Sequence, residues 1–362
     1  MAQSIFIPET MKAWTFSVSG PHRQVLSQTT IPSPKPPTDD QLLVKIAYSG
    51  LNYGDIKSMT MLPSLIRVKN SIPAMDFSGT IIAKGPTALP NLEIGMRVFG
   101  VLETAAMLKG NGTLCEYINV SASSSMIMPV PENCSLEQAG CMAIGGMMSY
   151  LICKNGGIKE DCGLRILVNG ASGGCGTIFV QVAKAMGAEE IAATCSSPNF
   201  GLMRELGADK LIDYRGQPSL QDRLAKDYAD RPFDVIVDMV GNQDLYVNSP
   251  HYLKEDGVFV NIGDYTKGTF ATALHWFLNT WWPRWLGGTP RNYKMFPPSF
   301  EPDVSVWFPS LIAKGQVRAV IERTMGFEEV LEVRDYFKYK RLNSPSHRLM
   351  TSSRRNGQEV GL

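Results

Sequence analysis

The chain has 362 residues, enough for roughly two domains, and 44% of them are apolar, enough to fill sizeable cores. Its 35 Lys and Arg residues nearly cancel its 34 Asp and Glu residues, so no global field directs it to nucleic acid or to an anionic membrane. Seven cysteines, at 115, 134, 141, 153, 162, 175 and 195, are odd in number and form no C-x-x-C pair; they fit a reduced, cytoplasmic setting better than a disulfide framework.

Residues 1–19 contain one Lys, one Glu and no long apolar core, so they read neither as a secretory signal nor as an arginine-rich transit peptide. From Met11 to about Pro131 the pattern is short, β-rich and broken by turns. Strands are predicted at Leu42–Tyr48, Gly79–Ala83, Arg97–Val101 and Cys115–Val120, after an extended segment holding Pro32, Pro34, Pro36 and Pro37. No helical period is sustained here, and a β-barrel-like domain over residues 1–134 is expected. From Ser135 the texture changes. Apolar runs at Ile166–Asn169, Ile191–Cys195, Lys210–Asp213, Phe233–Asp238 and Val258–Ile262 alternate with helical patterns, as in a parallel sheet covered on both faces. No run of about 18 apolar residues occurs, so no transmembrane helix is expected.

The run from Ile166 to Ala188 is a strand, a glycine-rich turn and a helix, the opening of a dinucleotide-binding βαβ unit. Ser172, Gly173, Gly174, Cys175 and Gly176 make the turn. Gly173 lets the backbone approach a pyrophosphate, Gly176 lets the helix pack closely on the strand, and the helix N-terminus offers N–H groups to phosphate. Ala171, preceded by Gly170, stands where the first glycine of G-x-G-x-x-G usually stands. The bland reading is a tight turn with no ligand. The second strand ends in Ser196, Ser197, Pro198 and Asn199, with no acid to bond a ribose 2′-OH. Hydroxyls there suit a 2′-phosphate, hence NADPH over NADH. Arg204 either supplies the countercharge or is a solvated helix residue.

Late in the chain, Trp276, Trp281, Trp282 and Trp285 crowd together; they wall an apolar pocket, form an oligomer contact or dip into a membrane interface. A helix is predicted from Phe327 to about Lys340. Residues 343–362 are polar and basic, contain Pro345 and lack any four-residue β-branched or aromatic run, so everything after about 342 is expected to be unpaired and mobile. His22, His251, His275 and His347 lack metal-ligand spacing, and no nucleophile elbow is present.

Taken in order, Gly50–Ile56, Ile72–Gly79, Ile94–Gly100, the glycine turn, Leu206–Asp209 with Ile212–Arg215, and Phe233–Gly241 resemble the medium-chain dehydrogenase/reductase superfamily, nearest its zinc-free quinone oxidoreductase and enoyl reductase branch. The resemblance implies an α/β architecture: a GroES-like catalytic domain, a Rossmann domain over residues 135–300, and a return to the catalytic domain over 301–342. The cofactor would lie in the cleft between the domains. It also implies cofactor contacts from Tyr214, Val240, Gly241, Ile262 and Gly263. Zinc-dependent relatives place Cys where Asn52 stands and His–Glu where Met75–Asp76 stand. Neither Asn nor Met is a good zinc ligand, so no metal is expected. Asn52, Tyr53 and Lys57 are the candidates for polarising the substrate carbonyl and donating a proton; Tyr53 could instead only pack, and bound water could be the donor.

The expected activity is NADPH-dependent hydride transfer to a polarised C=C or quinone-like acceptor. The expected substrate is a fairly large apolar small molecule, in secondary metabolism as in the fungal members that the Trp-Pro-Arg-Trp-Leu-Gly-Gly stretch resembles. Alternatives are a zinc-free carbonyl reductase or alcohol dehydrogenase, an accessory enoyl reductase of a polyketide pathway, and a nucleotide-binding protein that has lost turnover. A homodimer is one arrangement the resemblance allows.

Overall fold

In a computed structural model the described residues are 7–52, 54, 55, 59, 60, 64–263, 269–332 and 349–352. They divide into two compact units, with breaks after Met147 and after Pro298. In the first unit, β1 (Thr10–Thr15) pairs antiparallel with β2 (Ser27–Pro32). A second sheet is built on β3 (Gln41–Leu51), β4 (Asp76–Lys84), β5 (Arg97–Val101), β6 (Tyr117–Ser121) and β7 (Met126–Pro129). β3 pairs with both β4 and β6, and register shifts in the β3–β4 ladder bend it around its core. In β6 the alternation of the sequence survives as alternating burial, with Ile118 and Val120 inward beside Trp14, Phe77 and Ile81.

The sequence marks a boundary near Ser135, whereas the units divide twelve residues later in the chain, inside the helix Ala143–Gly156. Polar anchors explain the shift. The short helix Leu136–Ala139 opens with a Ser135–Gln138 capping box. The Ser78 hydroxyl donates to the Leu136 carbonyl at 2.5 Å, and the Ile144 N–H donates to Asp76 Oδ1 at 2.9 Å. These first helical turns therefore belong to β4, not to the sheet that follows them in sequence.

The second unit carries β8 (Arg165–Asn169), β9 (Glu190–Cys195), β10 (Lys210–Asp213), β11 (Phe233–Asp238), β12 (Leu253–Asn261) and β13 (Asn292–Met295). Their order is β10-β9-β8-β11-β12-β13, and every pairing is parallel. This is the doubly wound Rossmann arrangement, whose winding reverses between β8 and β11 and leaves a crevice at the strands' C-terminal ends. β8 is buried along its whole length, as a strand covered on both faces must be.

After Pro298 the chain returns to the first unit. Helix Val304–Ala313 sets Phe308 6.4 Å from the Phe99 ring and against Gly146, where a Cβ would come within 2.3 Å of the Phe308 ring. β14 (Arg323–Gly326) follows. Where a helix is predicted from Phe327, the structure has 3-10 turns over Phe327–Glu332, and the rest of that predicted helix lies outside the described residues. The Phe327 carbonyl accepts from Trp14 Nε1 at 2.7 Å, closing the first unit across most of the sequence.

The expected unpaired tail is corrected at Leu349–Ser352. These residues form β15, parallel to β14 and antiparallel to β3, with Leu349 opposite Leu51 and Ser352 opposite Tyr48. A strand inserted between two others satisfies its backbone donors and acceptors on both sides, which side-chain β propensity does not register. Pro345 precedes the strand and removes none of its donors. Amides of Leu349–Ser352 should therefore exchange with solvent far more slowly than a random coil; random-coil rates at all four would remove β15 from the sheet.

Candidate active site

The glycine turn is where the sequence places it. Gly173 caps the helix Gly174–Ala185 without a side-chain hydrogen bond, so no side chain competes for the first-turn N–H groups. Gly170 sits at φ +79°, a left-handed conformation that glycine adopts without penalty. At Gly176 a Cβ would lie 2.4 Å from the Ala171 carbonyl oxygen and 2.6 Å from that of Gly170, so the close helix–strand approach is real. At Gly173 a Cβ would meet, among the described residues, only the Gly170 oxygen at 3.2 Å, which leaves a cradle that a larger side chain would fill. The Ser172 hydroxyl, in a residue only 2% exposed, has no hydrogen-bond partner among the described residues. An orphaned buried hydroxyl beside a helix N-terminus fits a phosphate-bearing ligand.

Beneath the turn lies a polar network that the sequence reading did not single out. Asp238, at the end of β11, accepts from Asn169 Nδ2 at 2.8 Å and from the backbone N–H groups of Val240 (2.9 Å), Gly241 (3.2 Å) and Asn242 (2.6 Å). Asn169 Oδ1 accepts from the Thr194 hydroxyl at 2.6 Å, and that hydroxyl accepts from Gly170 N at 3.0 Å. Burial raises the Asp238 pKa, opposed by these donors. The signal was available: Asn169 and Asp238 are polar ends of apolar strands that flank the switch point. Ile262 and Gly263 both donate to the Asp238 carbonyl, at 2.9 and 3.0 Å, so Val240, Gly241, Ile262 and Gly263 gather at one place. A Cβ on Gly263 would lie 2.3 Å from the Val240 nitrogen. A recess nearby is lined by Asp238, Gly241, Asn261, His275 and Tyr293.

At the end of β9, Ser196 is buried and its hydroxyl accepts from Asn199 Nδ2 at 3.1 Å, while Ser197 is exposed. Tyr214 is partly exposed, and what burial it has raises its phenol pKa. Arg204 is exposed on the helix Phe200–Glu205. Arg215, which the sequence reading passed over, instead bonds Ser197 Oγ at 3.0 Å and the Asp213 carboxylate.

In the first unit, the Asn52 N–H donates to Asp55 Oδ2 at 2.7 Å and Asn52 Nδ2 donates to Asp76 Oδ2 at 3.1 Å. Positions 52 and 76, where zinc-dependent relatives carry ligands, are thus adjacent and tied by a hydrogen bond. Among the described residues no group of three His, Cys, Asp or Glu side chains could hold a metal ion. Tyr53 and Lys57 lie outside the described residues. Trp276, Trp281, Trp282 and Trp285 are all exposed, on and after the helix Thr269–Trp281. Among the described residues no helix is long and apolar enough to cross a membrane.

Two family models match the chain: an alcohol dehydrogenase GroES-like domain over residues 38–158 and a zinc-binding dehydrogenase over residues 174–280. The chain is 33% identical over 350 residues to a trans-enoyl reductase of Aspergillus terreus, covering 92% of this chain and 94% of that protein. It is 30% identical over 377 residues to a trans-enoyl reductase of Penicillium oxalicum, covering 92% and 95%. The solved quinone oxidoreductase of Coxiella burnetii superposes with a TM-score of 0.75 at 23% identity, over 95% of this chain and 100% of that one, a likeness of fold. The chain belongs to the medium-chain dehydrogenase/reductase family and is an oxidoreductase.

Asp55 supplies a pH test of the Asn52 loop. Burial, with a smaller contribution from the Asp76 charge, raises its pKa from 3.8 to about 7. Between those values the folded state holds a proton that the unfolded state has released. The associated stability is therefore complete below the ordinary pKa and is lost as pH rises through about 7. Asp55→Asn keeps an acceptor for the Asn52 N–H and removes the titration. From about pH 5 to about pH 8 the wild type should lose a few kcal/mol of unfolding free energy relative to the variant; parallel pH profiles would mean that Asp55 is ionised throughout.

Proposed function

We propose that the protein is an NADPH-dependent, zinc-free reductase that delivers hydride to a polarised C=C bond of a fairly large apolar substrate in secondary metabolism. The observation that carries the nucleotide part is the orphaned Ser172 hydroxyl in a turn whose helix N-terminus is uncapped by any side chain. The C=C part rests on relatives named as trans-enoyl reductases.

When bound, a reduced nicotinamide supplies the hydride. Ser172 and the N–H groups of Gly174, Cys175 and Gly176 hold the pyrophosphate, and Gly173, whose own N–H donates to the Gly170 carbonyl at 3.0 Å, lets the backbone approach it. Ser196, Ser197, Asn199 and Tyr214 receive the 2′-phosphate, at a strand end that carries no acid of its own. Val240, Gly241, Ile262 and Gly263 give the remaining cofactor a close backbone surface. The Asn52 side-chain amide, held by Asp76 and beside Asp55, is the neutral donor that polarises a substrate carbonyl. Reducing a conjugated C=C needs a proton on the carbon next to that carbonyl; Tyr53 or Lys57 supplies it. The zinc-free reading rests on the residue types at 52 and 75 and on the commitment of Asp76 to Asn52 and to the Ile144 N–H.

Single-turnover mixing of the NADPH-loaded protein with enones, quinones and aldehydes tests this reading. Enones should oxidise the cofactor fastest, and chelator washing should leave the rate unchanged. Oxidation by aldehydes alone would make the protein a carbonyl reductase; tight NADPH binding without any oxidation would make it a nucleotide-binding protein without turnover. Gly173→Val should abolish cofactor binding with the fold retained, and binding that survives would misplace the pyrophosphate.

A further inference from the structure

The parallel register of β9 and β10 sets Asp213 beside Cys195, so a carboxylate does reach the end of the second Rossmann strand, from the neighbouring strand. It is fully engaged. Asp213 Oδ2 accepts from the Ser197 N–H at 2.9 Å and from Arg215 Nη2 at 2.9 Å. Oδ1 accepts from Arg215 Nε at 3.1 Å and from the Arg215 backbone N–H at 3.0 Å. Arg215 Nη2 also donates to Ser197 Oγ at 3.0 Å. These bonds, those from Arg215 foremost, hold the Asp213 carboxyl well below the usual carboxylate range. A second guanidinium, that of Arg223, donates to the Asp213 carbonyl.

We infer that Asp213 and Arg215 together set cofactor choice: Arg215 is the cation that receives the 2′-phosphate, and it masks the one carboxylate at this strand end that would otherwise repel that phosphate and favour a ribose 2′-OH. The inference rests on the NADPH reading above and names the residues behind it. The geometry is specific. A guanidinium is planar, and here its Nε–Nη2 edge is fixed by Asp213, which leaves the Nη1 end of a 43% exposed side chain open toward solvent. Ser197, one of the hydroxyls that suit a 2′-phosphate, is bonded to the same guanidinium through its side chain and to the same carboxylate through its backbone. Arg204, by contrast, is exposed, and among the described residues its side chain has no hydrogen bond or ion pair that would aim it.

The consequence is asymmetric. Removing the cation does not merely lose an attraction; it exposes a carboxylate of the kind that NAD-preferring Rossmann folds place at this strand end. Calorimetric titration of the intact protein with NADPH, NADH, 2′,5′-ADP and 5′-AMP reads this, because the last two differ only in the 2′-phosphate. In Arg215→Gln, affinity for NADPH and 2′,5′-ADP should fall about tenfold or more, while affinity for NADH and 5′-AMP holds or rises. Adding Asp213→Asn should recover part of the 2′,5′-ADP affinity by removing the exposed charge. The wild-type preference for 2′,5′-ADP should weaken with added salt more than that of Arg215→Gln. An unchanged 2′,5′-ADP to 5′-AMP ratio in Arg215→Gln overturns the inference, as does loss of that ratio in Arg204→Gln alone. A wild type without preference for 2′,5′-ADP fails one step earlier, at the NADPH reading, and takes the inference with it.

Discussion

The crevice end of the parallel sheet in the second unit depends on one buried carboxylate. Asp238 is removed from water at the switch point of the sheet, where an isolated charge would be untenable. Three consecutive backbone N–H groups, at Val240, Gly241 and Asn242, turn back onto it, and the Asn169 amide meets it from β8. Such a turn requires a left-handed residue, and Gly241 at φ +81° provides it. Through Asn169 and Thr194 the same network reaches the Gly170 N–H, so the ends of β8, β9 and β11 are fixed relative to one another before the glycine turn begins. Removing one partner from such a network leaves other buried groups unpaired, at a cost of about 3–5 kcal/mol for a charged one. The groups underneath are satisfied, and the hydroxyl of Ser172 in the turn above is not. That division separates what holds the site from what remains for a ligand.

The parallel sheet was legible because its strands are short apolar runs bounded by turn residues; β10 and β11 match the predicted segments residue for residue. The glycine turn was legible for the same reason, since strand, glycines and helix are contiguous. What sequence could not show is which side chains a register brings together. Arg204 lies near Ser197 in sequence on a helix, and from sequence it reads equally as a countercharge or as a solvated helix residue. Arg215 is farther along the chain, yet the β9–β10 ladder puts it on Ser197. The tail failed for a related reason. Leu-Met-Thr-Ser has weak β propensity, but the space between β3 and β14 supplies partners on both sides. The two candidate proton donors, Tyr53 and Lys57, fall outside the described residues, so their roles stand on the resemblance alone.

The aromatic segment after β12 follows a different logic. Leu274, Phe277 and Trp281 recur at helical spacing on one face of Thr269–Trp281, the pattern that normally marks a face packed on a core. All three are exposed, as are Trp282, Trp285 and Leu286 beyond the helix. The core of this unit is made instead by Tyr246, Tyr252, Phe259 and their neighbours on the sheet. An exposed apolar face of this kind is costly to keep in water and marks a surface meant to meet something apolar. That argument favours a ligand or partner for these tryptophans over a role in the unit's own stability, and it is consistent with an apolar substrate.

Under the zinc-free reading, Asn52 is ordered by two carboxylates and not by a metal. A metal ion fixes its ligands by strong, short bonds and offsets the charge of its carboxylates. Here Asp76 is held by a backbone N–H and by the Asn52 amide, and Asp55 by the Asn52 N–H, so Asn52 is fixed at both its backbone and its side chain. The two acids are close enough that the charge on Asp76 helps keep Asp55 protonated, which relieves the buried charge that a cation would otherwise neutralise. A neutral amide such as that of Asn52 is a weaker polariser than a divalent cation. A carbonyl conjugated to a C=C bond needs less polarisation to accept hydride than an isolated one, because the developing charge is shared over more atoms. The modest electrophile that this loop can offer and the enone-like acceptor proposed here are therefore matched in strength.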